Sequence, residues 1–403
     1  MVVFNILVLP GDHIGPEIVA EAVKVLHVVE KYSKQDLKFA LEYDLFGGAS
    51  IDRHGEPITE QVLQKAEASD AVLFGSVGGP EWGPSLVANT DENTQDTSLL
   101  DTVKCNRLKG ARPEQGVLEL RRRLDCWANI RPVRLIAPAL AARVSAIKEH
   151  ILRGTDMIVL RENCGGAYFG AKTENSDFAS DAWAYTRQEI ERVTQMAGYL
   201  AENYPGQVKG RSVKITSCDK ANVLANSRLW RAVVQKVHDK EFPHIELVHQ
   251  LADSAAMIMV ARPTVLNGVV LCDNTFGDIL SDEAAALPGS LGLLSSASLA
   301  QVPGEGRKAQ GLYEPAHGSA PDLPRDAANP VATILSAGLM LRYTCGQAAL
   351  ADLLDTAVGH VLEDTEAGGL GLRTRDLGGT LGTSALGDAI ANEFKTRLIA
   401  SGL

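Results

Sequence analysis

Two carboxylates, Asp278 and Asp282, stand four residues apart in the stretch Asp273-Asn274-Thr275-Phe276-Gly277-Asp278-Ile279-Leu280-Ser281-Asp282. On a helix that spacing puts both on one face, where they repel each other unless something positive lies between them. A hard dication such as Mg²⁺ or Mn²⁺ meets that need, because it prefers oxygen donors and takes one or two protein carboxylates together with substrate oxygens. An acidic first turn that favours the helix dipole and faces water has the same spacing. Spacing alone leaves both readings open.

Other charged residues recur at comparable places. Arg131 lies in Ala128-Asn129-Ile130-Arg131-Pro132, Arg161 closes the apolar run from Asp156, and Lys220 comes just beyond the run Val213 to Ser217. Asp253 trails the run Ile245 to His249, and Asp278 follows Val269 to Cys272. In α/β sheets ligands gather outside the carboxyl ends of strands, so these residues converge on one site, although each alone reads as a solvated loop charge. A further segment, Arg112 to Arg121, opens with Pro113 and carries Glu114, Val117, Leu118 and Arg121 at i, i+3, i+4 and i+7. That face mixes an acid, two aliphatics and a guanidinium, which suits a pocket gripping a carboxylate at one end and an alkyl group at the other. The alternative is an amphipathic helix with a flanking ion pair.

The elements that must position these groups follow from length and composition. A chain of 403 residues, 45% hydrophobic and 22% charged, implies about two globular domains. A formal charge of −11 argues against a nucleic-acid partner but leaves room for a local arginine cluster on an acidic small molecule. No run reaches the roughly 18 to 20 apolar residues of a membrane span, and neither a signal peptide nor an Arg-rich leader is visible, so a cytoplasmic location is expected. The six cysteines (105, 126, 164, 218, 272, 345) form no C-x-x-C pair and read as reduced thiols. Val2 to Leu9 reads as a strand buried on both faces, followed by a Pro-Gly turn into a helix. Neither G-x-G-x-x-G nor the P-loop pattern occurs in the chain, so this α/β start is not the usual dinucleotide fingerprint.

Several stretches together carry a resemblance. They are Gly75-Ser76-Val77-Gly78-Gly79-Pro80, Arg112 to Arg121, Gly165 to Gly170, Asp219 to Leu224, Phe276 to Asp282, Leu287 to Gly292 and Glu314 to Asp322. In this order they resemble the isocitrate/isopropylmalate family of β-decarboxylating dehydrogenases over nearly the whole chain. The isopropylmalate branch of leucine biosynthesis is the nearest, and Pro321 to Arg325 looks like its fungal members.

The resemblance implies a two-domain isocitrate/isopropylmalate dehydrogenase-like α/β fold, with residues 1–126 and 289–403 forming the cofactor-binding domain and 127–288 the dimerisation domain. It implies oxidation of the C2 hydroxyl of 3-isopropylmalate by NAD⁺, then loss of CO₂. Asp278 and Asp282 of one subunit and Asp253 of the other would hold Mg²⁺ or Mn²⁺ in a homodimer with shared sites. Lys220 would be the base and Tyr168 the acid, and Arg121, Arg131 and Arg161 would bind the malate carboxylates. A lysine serves as base only where positive, partly desolvated surroundings favour its neutral form. Glu114, Val117 and Leu118 would face the isopropyl group, and the acid would repel a third carboxylate. Asp322 and Leu323 at the ribose imply NAD⁺ over NADP⁺, with His317, Gly318, Ser319, Ala320 and Asn329 completing the adenosine site. Read without the family, His-Gly-Ser-Ala-Pro is a tight surface turn. Two departures bear on the site: Arg325 falls in a shortened loop near the ribose, and Asn163-Cys164 follow Arg161 where the isopropylmalate enzymes usually carry Leu-Thr or Leu-Val. Cys164 reads as a small buried thiol without a role. The alternatives are a sister dehydrogenase acting on homoisocitrate, isocitrate or tartrate, and a non-catalytic regulatory subunit.

Overall fold

The computed structural model describes residues 1–82, 111–206, 212–304 and 309–403. Cys105 therefore lies outside the described residues. Among the described residues twelve strands are formed: β1 Val2–Gly11, β2 Leu37–Tyr43, β3 Ala71–Ser76, β4 Ala128–Arg134, β5 Asp156–Glu162, β6 Lys172–Glu174, β7 Ala179–Asp181, β8 Ile215–Asp219, β9 Leu247–Leu251, β10 Gly268–Cys272, β11 Ser295–Leu299 and β12 Gly311–Pro315. Ten make one sheet in the order β2-β1-β3-β12-β11-β4-β5-β10-β8-β9, and β6 and β7 form a separate exposed hairpin.

Strands from the two ends of the chain occupy one half of this sheet and strands from the middle occupy the other. Each half is parallel at its outer strands, and the halves meet through β11 and β4, which run antiparallel to their neighbours. Three antiparallel pairings separate β12 from β5, so the two halves run in opposite directions, and the charged residues gather along the seam between them.

Local sequence explains the elements that matter here. β3 (AVLFGS) and β10 (GVVLC) are buried at every position, as continuous apolar runs covered on both faces must be. Only the later part of β1 fits that expectation, because Val2, Val3 and Asn5 are exposed. The helix Gly15–Tyr32 buries Ile18, Val19, Ala22, Val25, Leu26 and Val29, a helical stripe that covers the sheet. Each fully buried Ile, Leu or Val there is worth about 1.5 to 3 kcal/mol of transfer free energy. The helix Val331–Tyr343 is buried at all but one position, so it acts as the central packing element of the terminal half. The last parallel strand is Leu247–Leu251, two residues later than the apolar run at 245–249 suggests. Ile245 packs in the core before the strand begins.

Candidate active site

The Asp273 carboxylate caps the helix Asn274–Ala285 by accepting from the Phe276 amide at 2.9 Å. Asp278 and Asp282 thereby fall within the helix rather than at its first turn, on the side that meets β4 and β5. Arg161, next to last in β5, gives one guanidinium nitrogen to Asp278 Oδ1. Tyr168 donates its hydroxyl to Asp278 Oδ2 at 2.6 Å, and the Arg161 guanidinium lies 5.5 Å from the centre of the Tyr168 ring. Arg131 on β4 reaches Asp282 Oδ1 at 2.8 Å and Ser281 Oγ at 2.9 Å.

These charges are partly withdrawn from water, and it shows in their acidities. Burial lowers Arg161 to about 10, with Asp278 opposing the shift and Arg121 and Arg131 adding to it. Burial and the bond to Asp278 raise Tyr168 to about 12, so its proton stays on throughout the neutral range. Burial likewise holds Glu162 and Asp273 up at about 7.

A neutral residue ties the cluster together. Asn274, fully buried, accepts from Arg161 Nε at 2.9 Å, donates to the Gly165 carbonyl at 2.9 Å, and gives its amide proton to the Tyr185 hydroxyl at 2.8 Å. Glu162 Oε2 accepts from the Gly165 amide at 2.8 Å and Oε1 from the Cys164 amide at 3.2 Å. The turn that presents Tyr168 is thus held from both sides by buried groups. A side chain at Gly165 or Gly166 would collide with Tyr185, which explains the paired glycines. Cys164 is half-buried beside the Arg121 carbonyl, its thiol pushed up to about 12 by burial. Asn163 is buried and donates its backbone amide to the Trp127 carbonyl at 2.8 Å.

Lys220 and Asp253 form a second group. Lys220 follows β8 directly, Asp253 is the second residue of the helix Ala252–Ala261, and Lys220 Nζ lies 2.6 Å from Asp253 Oδ1. The hydrogen bond from Lys220 holds the Asp253 carboxyl below its ordinary range. Among the described residues no hydrogen bond or ion pair joins this pair to Asp278 or Asp282, and no three metal-binding side chains cluster within one chain.

On the terminal half of the seam, Glu114, Val117, Arg121, Arg131, His317 and Gly318 line a cavity of about 230 Å³ together with Ser296 and Glu314. Leu118 is outside that lining, with 43% of its surface exposed, because Gly116 and Leu120 take the inward face of the Pro113–Arg123 helix. Arg121 pairs with Glu314 at 2.7 Å while its buried Nε lacks a partner. His317 Nε2 is also buried without a partner, and burial favours the neutral ring. A buried polar atom left unsatisfied calls for an explanation, and a bound ligand is one. Ser319 donates to the Gly78 carbonyl at 2.5 Å, Ala320 takes a left-handed φ of 44°, and Asn329 bonds Asp376 at 3.0 Å and the Val331 amide at 3.0 Å. Asp322 and Leu323 are exposed, and Arg325 extends into solvent 3.9 Å from Glu17.

Glu314, Ser296 and Asn274 were not among the site residues expected from sequence. Glu314 left a signal, since it is the one charged side chain in the otherwise neutral run Gly311–Pro315. Asn274 and Ser296 left none.

The model of the isocitrate/isopropylmalate dehydrogenase family matches residues 5–390. The chain belongs to that family. Within it, the chain is 51% identical over 394 residues to 3-isopropylmalate dehydrogenase of Hapsidospora chrysogena, covering 96% of each protein. It is 47% identical over 395 residues to the 3-isopropylmalate dehydrogenase of Schizosaccharomyces pombe, covering 97% of this chain and 98% of that one. Solved structures of the isocitrate/isopropylmalate dehydrogenase fold agree. Isocitrate dehydrogenase from Methylococcus capsulatus superposes with a TM-score of 0.75 at 27% identity, over 97% of this chain and 99% of that one. A β-decarboxylating dehydrogenase from Thermococcus kodakarensis gives 0.69 at 30% identity, over 98% and 96%.

Proposed function

We propose that this chain is an NAD⁺-dependent 3-isopropylmalate dehydrogenase, converting (2R,3S)-3-isopropylmalate to 4-methyl-2-oxopentanoate and CO₂ in leucine biosynthesis. The observation that carries the reading is the cavity in which Val117 and Glu114 lie beside Arg121 and Arg131. An aliphatic contact next to guanidinium groups suits a branched alkyl tail on a dicarboxylate, and Glu114 disfavours a third carboxylate. The relatives named above, at about half identity over nearly their full length, carry the same activity in their names.

The residues present fit both implied cofactors. Asp278 and Asp282 offer oxygen donors from one helix face, and each is now matched by an arginine. The unpartnered His317 Nε2 fits an adenosine contact, with Asp322 and Leu323 at the ribose and Gly318, Ser319, Ala320 and Asn329 shaping the loop. When bound, Mg²⁺ or Mn²⁺ supplies Lewis-acid polarisation of substrate oxygens and NAD⁺ supplies the hydride acceptor. Arg121, Arg131 and Arg161 hold and orient the malate carboxylates. Lys220 takes the proton of the C2 hydroxyl, and Tyr168 returns a proton to the carbon from which CO₂ departs.

Lys220 and Asp253 reach this site from a second copy of the chain. Two observations support a homodimer. The Lys220–Asp253 pair is complete apart from Asp278, and Val223, Met257, Val260 and Ile279 expose apolar side chains around these groups. Met257 and Val260 project from the Ala252–Ala261 helix, which packs against the Asn274–Ala285 helix bearing Ile279, an arrangement suited to an isologous interface. We assign residues 1–126 with 289–403 to a cofactor-binding domain and 127–288 to a dimerisation domain. Free thiols at Cys126, Cys164, Cys218 and Cys272 accord with the cytoplasm.

The test is a panel of isopropylmalate, isocitrate, homoisocitrate and tartrate with NAD⁺ or NADP⁺, with and without EDTA. The expected result is NADH formation with isopropylmalate, abolished by chelation. Equal or better kcat/KM with a tricarboxylate overturns the assignment.

A further inference from the structure

A second opening suited to a small molecule lies away from the active-site seam at the opposite end of the same strands, where β4 ends at Arg134 and β5 begins at Asp156. It is a cavity of about 420 Å³, within the roughly 300 to 1,000 Å³ of small-molecule sites. One wall comes from β4, β5 and Tyr204, and the other from the helices Val331–Tyr343 and Ala348–Leu362. Leu135, Ile136, Ile158, Leu293 and Leu339 give it an aliphatic lining.

Its polar groups are unbalanced. Arg342 is taken by Asp352 at 2.6 Å, and Arg134 divides itself between Asp156 at 3.3 Å and Asp355 at 3.2 Å. Tyr204 adds a hydrogen bond to Asp156 at 2.8 Å. Two guanidinium groups therefore serve three carboxylates, and Asp355 has the weakest share. Its Oδ2 has one long contact with Arg134, its Oδ1 has no bond among the described residues, and 29% of the side chain stays open where it lines the cavity. Burial accordingly pushes Asp355 up to about 6. A carboxylate out of bulk water with so little compensation gains from a cation that brings its own hydrogen-bond donors.

We infer that this cavity binds a small aliphatic ammonium compound, with the ammonium on Asp355 and the hydrocarbon body against Ile136, Ile158 and Leu339. The shared chemistry is a primary ammonium on a branched or short alkyl group. It could come from a simple amine, or from an aliphatic α-amino acid whose carboxylate turns to a free edge of Arg342. The site shares no lining residue with the 230 Å³ cavity at the seam, so its occupant is a ligand additional to substrate and cofactor.

The experiment is titration calorimetry on the full-length protein with three probes that differ only in the head group: isopentylamine, leucine and isovalerate. Isopentylamine should bind once per chain, in the presence of saturating NAD⁺ as in its absence, and isovalerate should give no heat. Asp355→Asn should weaken isopentylamine by roughly tenfold or more, the size of one lost charge-assisted hydrogen bond. Its kcat/KM for the dehydrogenase reaction should be unchanged. Thr356→Trp, at the exposed mouth, should block binding by bulk and decides the matter should Asp355→Asn fold poorly. Leucine binding that depends on Asp355 assigns the site to amino acids, and leucine silence assigns it to simple amines. Isopentylamine that gives no heat at millimolar concentration, or that binds Asp355→Asn or Thr356→Trp as tightly as the parent, overturns the inference.

Discussion

Tyr168 and Arg161 share one carboxylate: the phenol holds Asp278 Oδ2 at 2.6 Å and the guanidinium holds Oδ1. The acid expected to deliver a proton to carbon is thereby fixed to the helix expected to carry the metal. Tyr168→Phe removes the hydroxyl and little else. We expect kcat for isopropylmalate to fall by about 10² or more, with KM nearly unchanged. Steady-state kinetics decide this, and a wild-type kcat in the variant rules Tyr168 out as the acid.

Lys220→Met should separate binding from chemistry. The alkyl stem is retained while the amine that pairs with Asp253 is lost. Isopropylmalate should still bind by calorimetry in the presence of Mg²⁺, and NADH production should vanish. Normal NADH production excludes Lys220 as the base.

Glu162 is fully buried, facing Arg192 at 3.4 Å and the amides of Cys164 and Gly165, with Glu189 a like charge nearby. Burial raises its pKa from 4.5 to about 7, so the folded chain keeps this proton where the unfolded chain releases it. Its contribution to stability is present below pH 4.5, declines as pH rises from there to about 7, and is level above. Glu162→Gln should flatten that segment of the stability curve. Urea midpoints across the window test it, and parallel curves for the two proteins would remove Glu162 as the cause.

Asp322→Lys combined with Leu323→Tyr should move cofactor preference toward NADP⁺. A lysine at the ribose attracts the 2′-phosphate that the aspartate repels, and both positions are exposed enough to accept the change. The readout is the ratio of kcat/KM values for the two cofactors. An unchanged ratio places the ribose elsewhere.

Much of this arrangement is legible in the sequence, because charge is rare in a buried seam and period is easy to count. The four-residue step from Asp278 to Asp282, and the basic residues at strand ends, are local signals that survive without knowing the fold. What sequence hides is pairing at a distance. Arg121 meets Glu314 across 193 positions, and nothing near either one announces the other. Asn274 organises Arg161 and the Tyr168 turn through neutral hydrogen bonds, which carry no compositional mark. Leu118 is a related case: its spacing places it with Val117, and only the folded chain shows that Gly116 and Leu120 take the buried face of the helix and leave Leu118 largely exposed. The antiparallel joint of β11 and β4 is equally silent, since period-two alternation says nothing of direction.

In the structure, the pairs Arg161–Asp278 and Arg131–Asp282 are each a closed couple of opposite sign. A dication and a dicarboxylate arriving together can exchange those couples, the ion taking the aspartates and the acid taking the guanidiniums, with no charge left stranded. Either arriving alone strands its own counterpart. Ion and hydroxy acid should therefore favour each other's entry, each tightening the other by the same factor, and Mg²⁺ titrations with and without isopropylmalate would show that equality.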